Sequence, residues 1–165
     1  MKARFSFLLV LLVTACSSDQ PDGSYDALFN TPSSTNNTPN SIRGLWVAHV
    51  ARNENDGVDA DIDARMFVSE SSVMLACRCR YPDNTVLTAG VTVGAHILDA
   101  DTELITTNDA ENAPASGNHT CRIVVKAGTL GYHIRGRELE FQGDGLPYPQ
   151  FATSKYVPPF AKASD

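Results

Sequence analysis

The sequence predicts an all-β protein, a sandwich or small antiparallel barrel, carried between a disordered N-terminal tether and an extended C-terminal tail. Three observations predict it. Beyond residue 42 the chain breaks into short runs of β-branched and aromatic residues parted by Gly, Asn, Asp and Ser, the texture of sandwiches and barrels. Within residues 73–80, Val73, Leu75, Cys77 and Cys79 alternate with Met74, Ala76, Arg78 and Arg80, so one face turns inward and the arginine-bearing face turns to solvent. Near the end, Tyr132 and Ile134 precede Arg135-Gly136, and Leu139 and Phe141 follow, the composition of a tight hairpin.

The elements follow in chain order. Lys2 and Arg4 open the chain, an apolar run fills residues 5–13, and Val13-Thr14-Ala15-Cys16 closes it. Residues 1–15 read as a signal peptide, too short and wrongly flanked to span a bilayer. Its removal takes away Lys2 and Arg4 and moves the net charge from −6 to −8. An acidic balance of that size excludes nucleic acid and an anionic membrane surface as electrostatic partners. Residues 16–41 are Ser, Thr, Asn, Asp and Pro with few aliphatics, and cannot bury enough apolar area to offset ordering. They read as a flexible linker with a root-mean-square span of roughly 25–30 Å. Tyr25, Leu28 and Phe29 are expected to stay undocked within it.

The barrel domain is expected over residues 42–143, with strands at 45–50, 62–68, 73–80, 86–93, 95–98, 103–107, 120–126, 130–134 and 138–142. Residues 144–165, rich in Pro, Tyr and Phe, read as an extended tail lying on the barrel or offered to a partner groove.

Two resemblances refine this reading. Val13-Thr14-Ala15-Cys16 resembles the lipobox of bacterial lipoproteins. That resemblance implies acylation of Cys16, with palmitate among the chains, and cleavage before it. It places the protein in the cell envelope as an anchored lipoprotein, on the periplasmic face or at the cell surface. Ser17 after the cysteine leans the expectation to the outer membrane. One acyl chain anchors only marginally at about 0.8 kcal/mol per buried methylene, whereas several hold effectively permanently. Ile42-Arg43-Gly44-Leu45-Trp46 resembles the Gly-x-Trp motif that opens the first strand of lipocalins and lipocalin-like lipoproteins. In that family the tryptophan plugs the closed end of an eight-stranded up-and-down barrel. The resemblance implies a small antiparallel up-and-down, lipocalin-like barrel of about eight strands here, and carries the plug role to Trp46.

With Cys16 acylated, Cys77, Cys79 and Cys121 remain in oxidising surroundings, so one pair forms and one thiol is left. Cys77 and Cys79, two apart on one strand, lie at the edge of disulfide reach. Cys79–Cys121 is the expected bridge, with Cys77–Cys121 the alternative. The same residues with His119 make a tetrahedral sulfur–imidazole set for Zn²⁺ or Cu(I), but the ligand spacing is too tight and the compartment oxidises thiols. No metal and no cofactor is expected. The acidic stretch 53–63 does not fit an EF-hand and reads as a solvated turn leading into outward-facing Asp59, Asp61 and Asp63.

His49, His96, His119 and His133 sit in no nucleophile or metalloprotease motif, and there is no Gly-x-Ser-x-Gly or phosphate-cradling loop. No catalytic residue and no enzymatic activity is expected. The expected function is that of a membrane-tethered structural or interaction module, its partners the bilayer through Cys16 and an envelope protein. The alternative is a lipocalin-like carrier of a small apolar ligand, whose binding residues the sequence does not name. Large inward side chains favour the filled barrel of the first reading.

Overall fold

In a computed structural model, residues 25–30, 41–52, 58–98, 102–142, 150–151 and 160–164 are described. Eight antiparallel strands close into a barrel: β1 (Gly44–Val50), β2 (Asp61–Val68), β3 (Ser72–Arg80), β4 (Val86–Ile97), β5 (Glu103–Thr106), β10 (Gly128–Arg135), β11 (Glu138–Gln142) and β13 (Phe160–Ser164). They follow one another around the barrel in chain order, and β13 closes the ring by pairing with both β11 and β1. Between β5 and β10 lie β6 (Ala110–Asn112), β7 (Ala115–Ser116), β8 (His119–Thr120) and β9 (Ile123–Val125). A short β12 (Gln150–Phe151) pairs with β9, so β12, β9 and β6 form a second sheet, and β7 and β8 a small hairpin.

The alternation expected for residues 73–80 sets the interior. Trp46, Ala48 and Val50 on β1, Ile62, Ala64, Met66 and Val68 on β2, and Val73, Leu75, Cys77 and Cys79 on β3 all join one buried core. Register lines Ala48, Ala64, Cys77 and Ala89 in one row across β1–β4. Opposite this row of small side chains, β10, β11 and β13 bring Tyr132, Leu139 and Phe160, each at most 1% exposed. Small residues facing large ones fill a narrow barrel at close packing.

Three boundaries differ from the sequence reading. The runs 86–93 and 95–98 are one twelve-residue strand, β4. Gly94 does not break it: the glycine lets the Thr107 hydroxyl lie where a Cβ would be, and its N–H donates to Asn108 Oδ1 at 3.0 Å. Residues 120–126 are no barrel strand. Cys121 leaves the extended ladder to donate its N–H to the Pro114 carbonyl at 3.0 Å, and separates β8 from β9. The tail expected over residues 144–165 is also corrected, because its end is the eighth barrel strand. Phe160, Lys162 and Ala163 are buried and Ala161 is exposed, and the lysine at an inner position conceals the strand from sequence reading.

Trp46 fills the end of the barrel where β1 begins. Its indole N–H donates to the Ile42 carbonyl at 2.6 Å, and the Lys162 ammonium lies 4.9 Å from the ring centre. The same ammonium donates to the Arg43 carbonyl. Trp46 is fully buried there.

At the other end, β5 pairs only with Ala95–Ile97 of β4 and leaves the earlier part of that strand without a barrel neighbour on one side. There β6 and β9 pack against β4, and β9 reaches β3. Ile123 and Val125 enter the core, so the insertion acts as a flap over the opening.

Candidate functional site

The described residues present two built features, one inside the barrel and one outside. Inside, Cys79 and Cys121 form the disulfide, with Cα atoms 5.8 Å apart, and tie the flap to β3. Cys77, one inward position back along β3, is a free buried thiol with its Sγ 3.3 Å from Cys121 Sγ. All three sulfurs lie within 4.8 Å of one another. His119 does not join them. Its ring stacks on Tyr81 at 4.0 Å, and its Nε2 meets Asp83 Oδ2 at 3.0 Å. The Thr85 N–H and then His119 hold the Asp83 carboxyl down at about 2. The Tyr81 hydroxyl donates to the Thr120 carbonyl at 2.8 Å, which fixes the flap's second attachment to the rim.

Burial pushes the Cys77 thiol up to about 12, so it is protonated at neutral pH and a poor nucleophile. The chemistry follows directly. In the chain carrying Cys16→Ser, a maleimide at pH 7.5 should leave the folded protein unlabelled over minutes and label one thiol per chain in guanidinium. Rapid labelling of the native protein would contradict the closed core.

Outside, the wall of β2–β4 carries a groove. Outward-facing Arg65, Ala76 and Gly90 share one register row across the three strands. Ala76 and Gly90 point outward and yet are buried. Their cover is the single helical turn α1 (Asp26–Asn30) with Tyr25 before it. The Tyr25 ring rests on Gly90 so closely that any Cβ there would overlap it. Its hydroxyl reaches Thr92 Oγ1 at 3.5 Å. Asp26 Oδ1 accepts from Arg78 Nη2 at 2.6 Å, and the Phe29 ring receives two guanidinium groups, Arg78 at 4.2 Å and Arg65 at 5.4 Å from its centre. Partial burial lowers the Arg65 pKa, Asp63 opposing.

This corrects the reading of residues 16–41 as an undocked linker: Tyr25 and Phe29 dock. A glycine and an alanine in register make a slot that an aromatic ring fills, and two arginines add cation–π contacts of about 0.5–1 kcal/mol each. The ion pair adds up to about 1 kcal/mol, since both side chains keep contact with water.

The other sequence candidates stand apart from both features. Asp61 accepts from the Arg52 N–H at 2.9 Å, and Asp63 joins His49 and Arg80, each at 2.9 Å, on the outer wall. This is the outward alternation expected of Asp59, Asp61 and Asp63; residues 53–57 of the acidic stretch lie outside the described residues. So do residues 1–15, read from sequence as a signal peptide, and Cys16. Among the described residues no helix is long and apolar enough to cross a membrane.

Sequence reasoning missed the groove because the smallness of Ala76 and Gly90 carries meaning only once register aligns them. Its one visible signal was the Tyr-Asp-x-x-Phe cluster in an otherwise polar segment. Comparison with protein-family models, curated proteins and solved structures finds no match for the chain.

Proposed function

We propose that the protein is an envelope lipoprotein, anchored through acylated Cys16, whose barrel serves as an interaction module and works through its outer surface. One observation carries this reading: the interior is occupied by protein. Trp46, Met66, Tyr132, Leu139 and Phe160 are each at most 1% exposed, and Ile123 of the flap is fully buried beside the disulfide. A carrier needs a cavity of several hundred Å³ to enclose a drug-sized ligand. Large side chains and a stapled flap fill the volume in which a lipocalin-like carrier would hold its cargo. The acidic sequence keeps nucleic acid out of the list of partners.

Two measurements test the proposal. Metabolic labelling with palmitate should acylate the chain, and Cys16→Ser should abolish it. Titration of the purified protein with medium- and long-chain fatty acids should leave the Trp46 emission unchanged, because the indole sits at full burial in packed surroundings. A saturable spectral shift would overturn the packed-module reading in favour of a carrier. Absence of label on the wild-type chain would overturn the anchor.

A further inference from the structure

We propose that the groove on the outer wall of β2–β4 is a recognition site for a short aromatic–acidic segment of a partner protein, which the chain's own residues 25–30 occupy until it is displaced. The inference deepens the proposed function and rests on its reading that the barrel acts through its outer face.

The groove has the attributes of a peptide site. Ala76 and Gly90 give a slot with shape, since the Tyr25 ring lies where a side chain on residue 90 would be. Arg78 and Arg65 give it charge, matched by Asp26 and by the face of Phe29. The ligand chemistry is therefore a tyrosine, an acid directly after it and an aromatic three residues beyond the acid, presented on one helical turn.

The resident segment is built to leave. It has a single turn, none of its residues is fully buried, and an isolated turn is not stable by itself. Residues 31–40 connect it to the barrel, so the segment acts as an intramolecular ligand at an effective concentration of order millimolar. A partner segment competes only if it makes more contact, and the wall offers more. Phe67, 37% exposed, lies with Met74 and Thr92 in the next register row beside the groove. A longer partner segment would cover it.

The test uses the full chain in detergent and a fluorescein-labelled peptide of residues 23–31, followed by anisotropy. The double variant Tyr25→Ala/Phe29→Ala empties the groove. It should bind the peptide with Kd of about 0.1 mM, about tenfold more tightly than wild type does, the ratio of the tethered segment's effective concentration of about 1 mM to that Kd. Its melting temperature should stay within about 3 °C of wild type, since only surface contacts are lost. Adding Arg78→Glu should abolish binding of this peptide and restore binding of the peptide in which Asp26 is replaced by Lys. No peptide binding by the double variant at millimolar peptide would overturn the proposal, and a drop of more than about 8 °C would make the segment a fixed part of the fold and overturn it too. Equal binding of both peptides to the Arg78→Glu variant would overturn it as well. None of these readouts depends on acylation or on a ligand cavity, so failure here is distinct from failure of the anchor or of the packed interior.

Discussion

Replacing Cys121 with serine should destabilise the protein by about 5–6 kcal/mol, about 4 from the lost bridge and the rest from a buried hydroxyl, while replacing its disulfide partner Cys79 should cost only about 1–2 kcal/mol. The bridge closes a sequence separation of 42 residues, and the chain-entropy model assigns a loop of that length about 4 kcal/mol. With total stabilities of about 5–15 kcal/mol in ordinary domains, the Cys121→Ser variant should melt on the order of 15 °C lower. The asymmetry arises from Cys77. Its sulfur lies 3.3 Å from that of Cys121 and faces the same core, so in Cys79→Ser it can take the vacant partnership at nearly the same loop length. What remains is the cost of a serine hydroxyl at a site with no solvent contact, about 1–2 kcal/mol. Urea denaturation gives the energies, and thiol counting in denaturant gives the chemistry. With Cys16→Ser as background, Cys79→Ser should show no free thiol and Cys121→Ser two. Two thiols in Cys79→Ser, together with stability as low as that of Cys121→Ser, would refute the substitution of Cys77 for Cys79.

The same three cysteines show how far the sequence could be read. Alternation placed Cys77 and Cys79 on one inward face, and the structure keeps both there. The expected bridge, Cys79–Cys121, is the one formed. The position of the flap that carries Cys121 was not legible, because it depends on how far β5 extends along β4, a matter of register with no local signature. The barrel itself was legible because β2, β3 and β4 carry period-two burial over long runs. The eighth strand was not legible, because Phe160–Ser164 places a lysine where the pattern calls for an apolar residue. That lysine has specific partners, the Trp46 ring and the Arg43 carbonyl, and both come from the far end of the domain sequence. The outer groove was half legible. Arg78 and Arg80 marked the outward face correctly, but Arg78 is partly covered by Phe29 and Asp26. A polar, proline-bearing segment reads as unable to fold alone, and that reading is silent on whether it can dock on a surface already folded.

Trp46→Ala should cost about 3–5 kcal/mol, with Trp46→Phe at about 1–2 kcal/mol. Three losses add in the alanine variant. The indole volume disappears from a site with no solvent contact, and a closed barrel wall cannot collapse fully to recover the packing. The Ile42 carbonyl loses its donor. The Lys162 ammonium loses the ring face that offsets its burial inside the wall. Phenylalanine restores most of the packing and the ring face but not the N–H, which separates the hydrogen bond from the plug. Since Trp46 is the sole tryptophan, its variants lose the tryptophan emission, and the transitions are followed by circular dichroism in urea. The result also bears on function. In a barrel that stores a ligand, enlarging the interior should be tolerated and should widen what it binds. In a barrel packed solid by its own side chains, the same change removes support from β1 and from its closing partner β13, which meets it at Trp46 itself. A cost below about 1.5 kcal/mol for Trp46→Ala, well under what cavity formation at a buried aromatic requires, would show that the interior has room to spare.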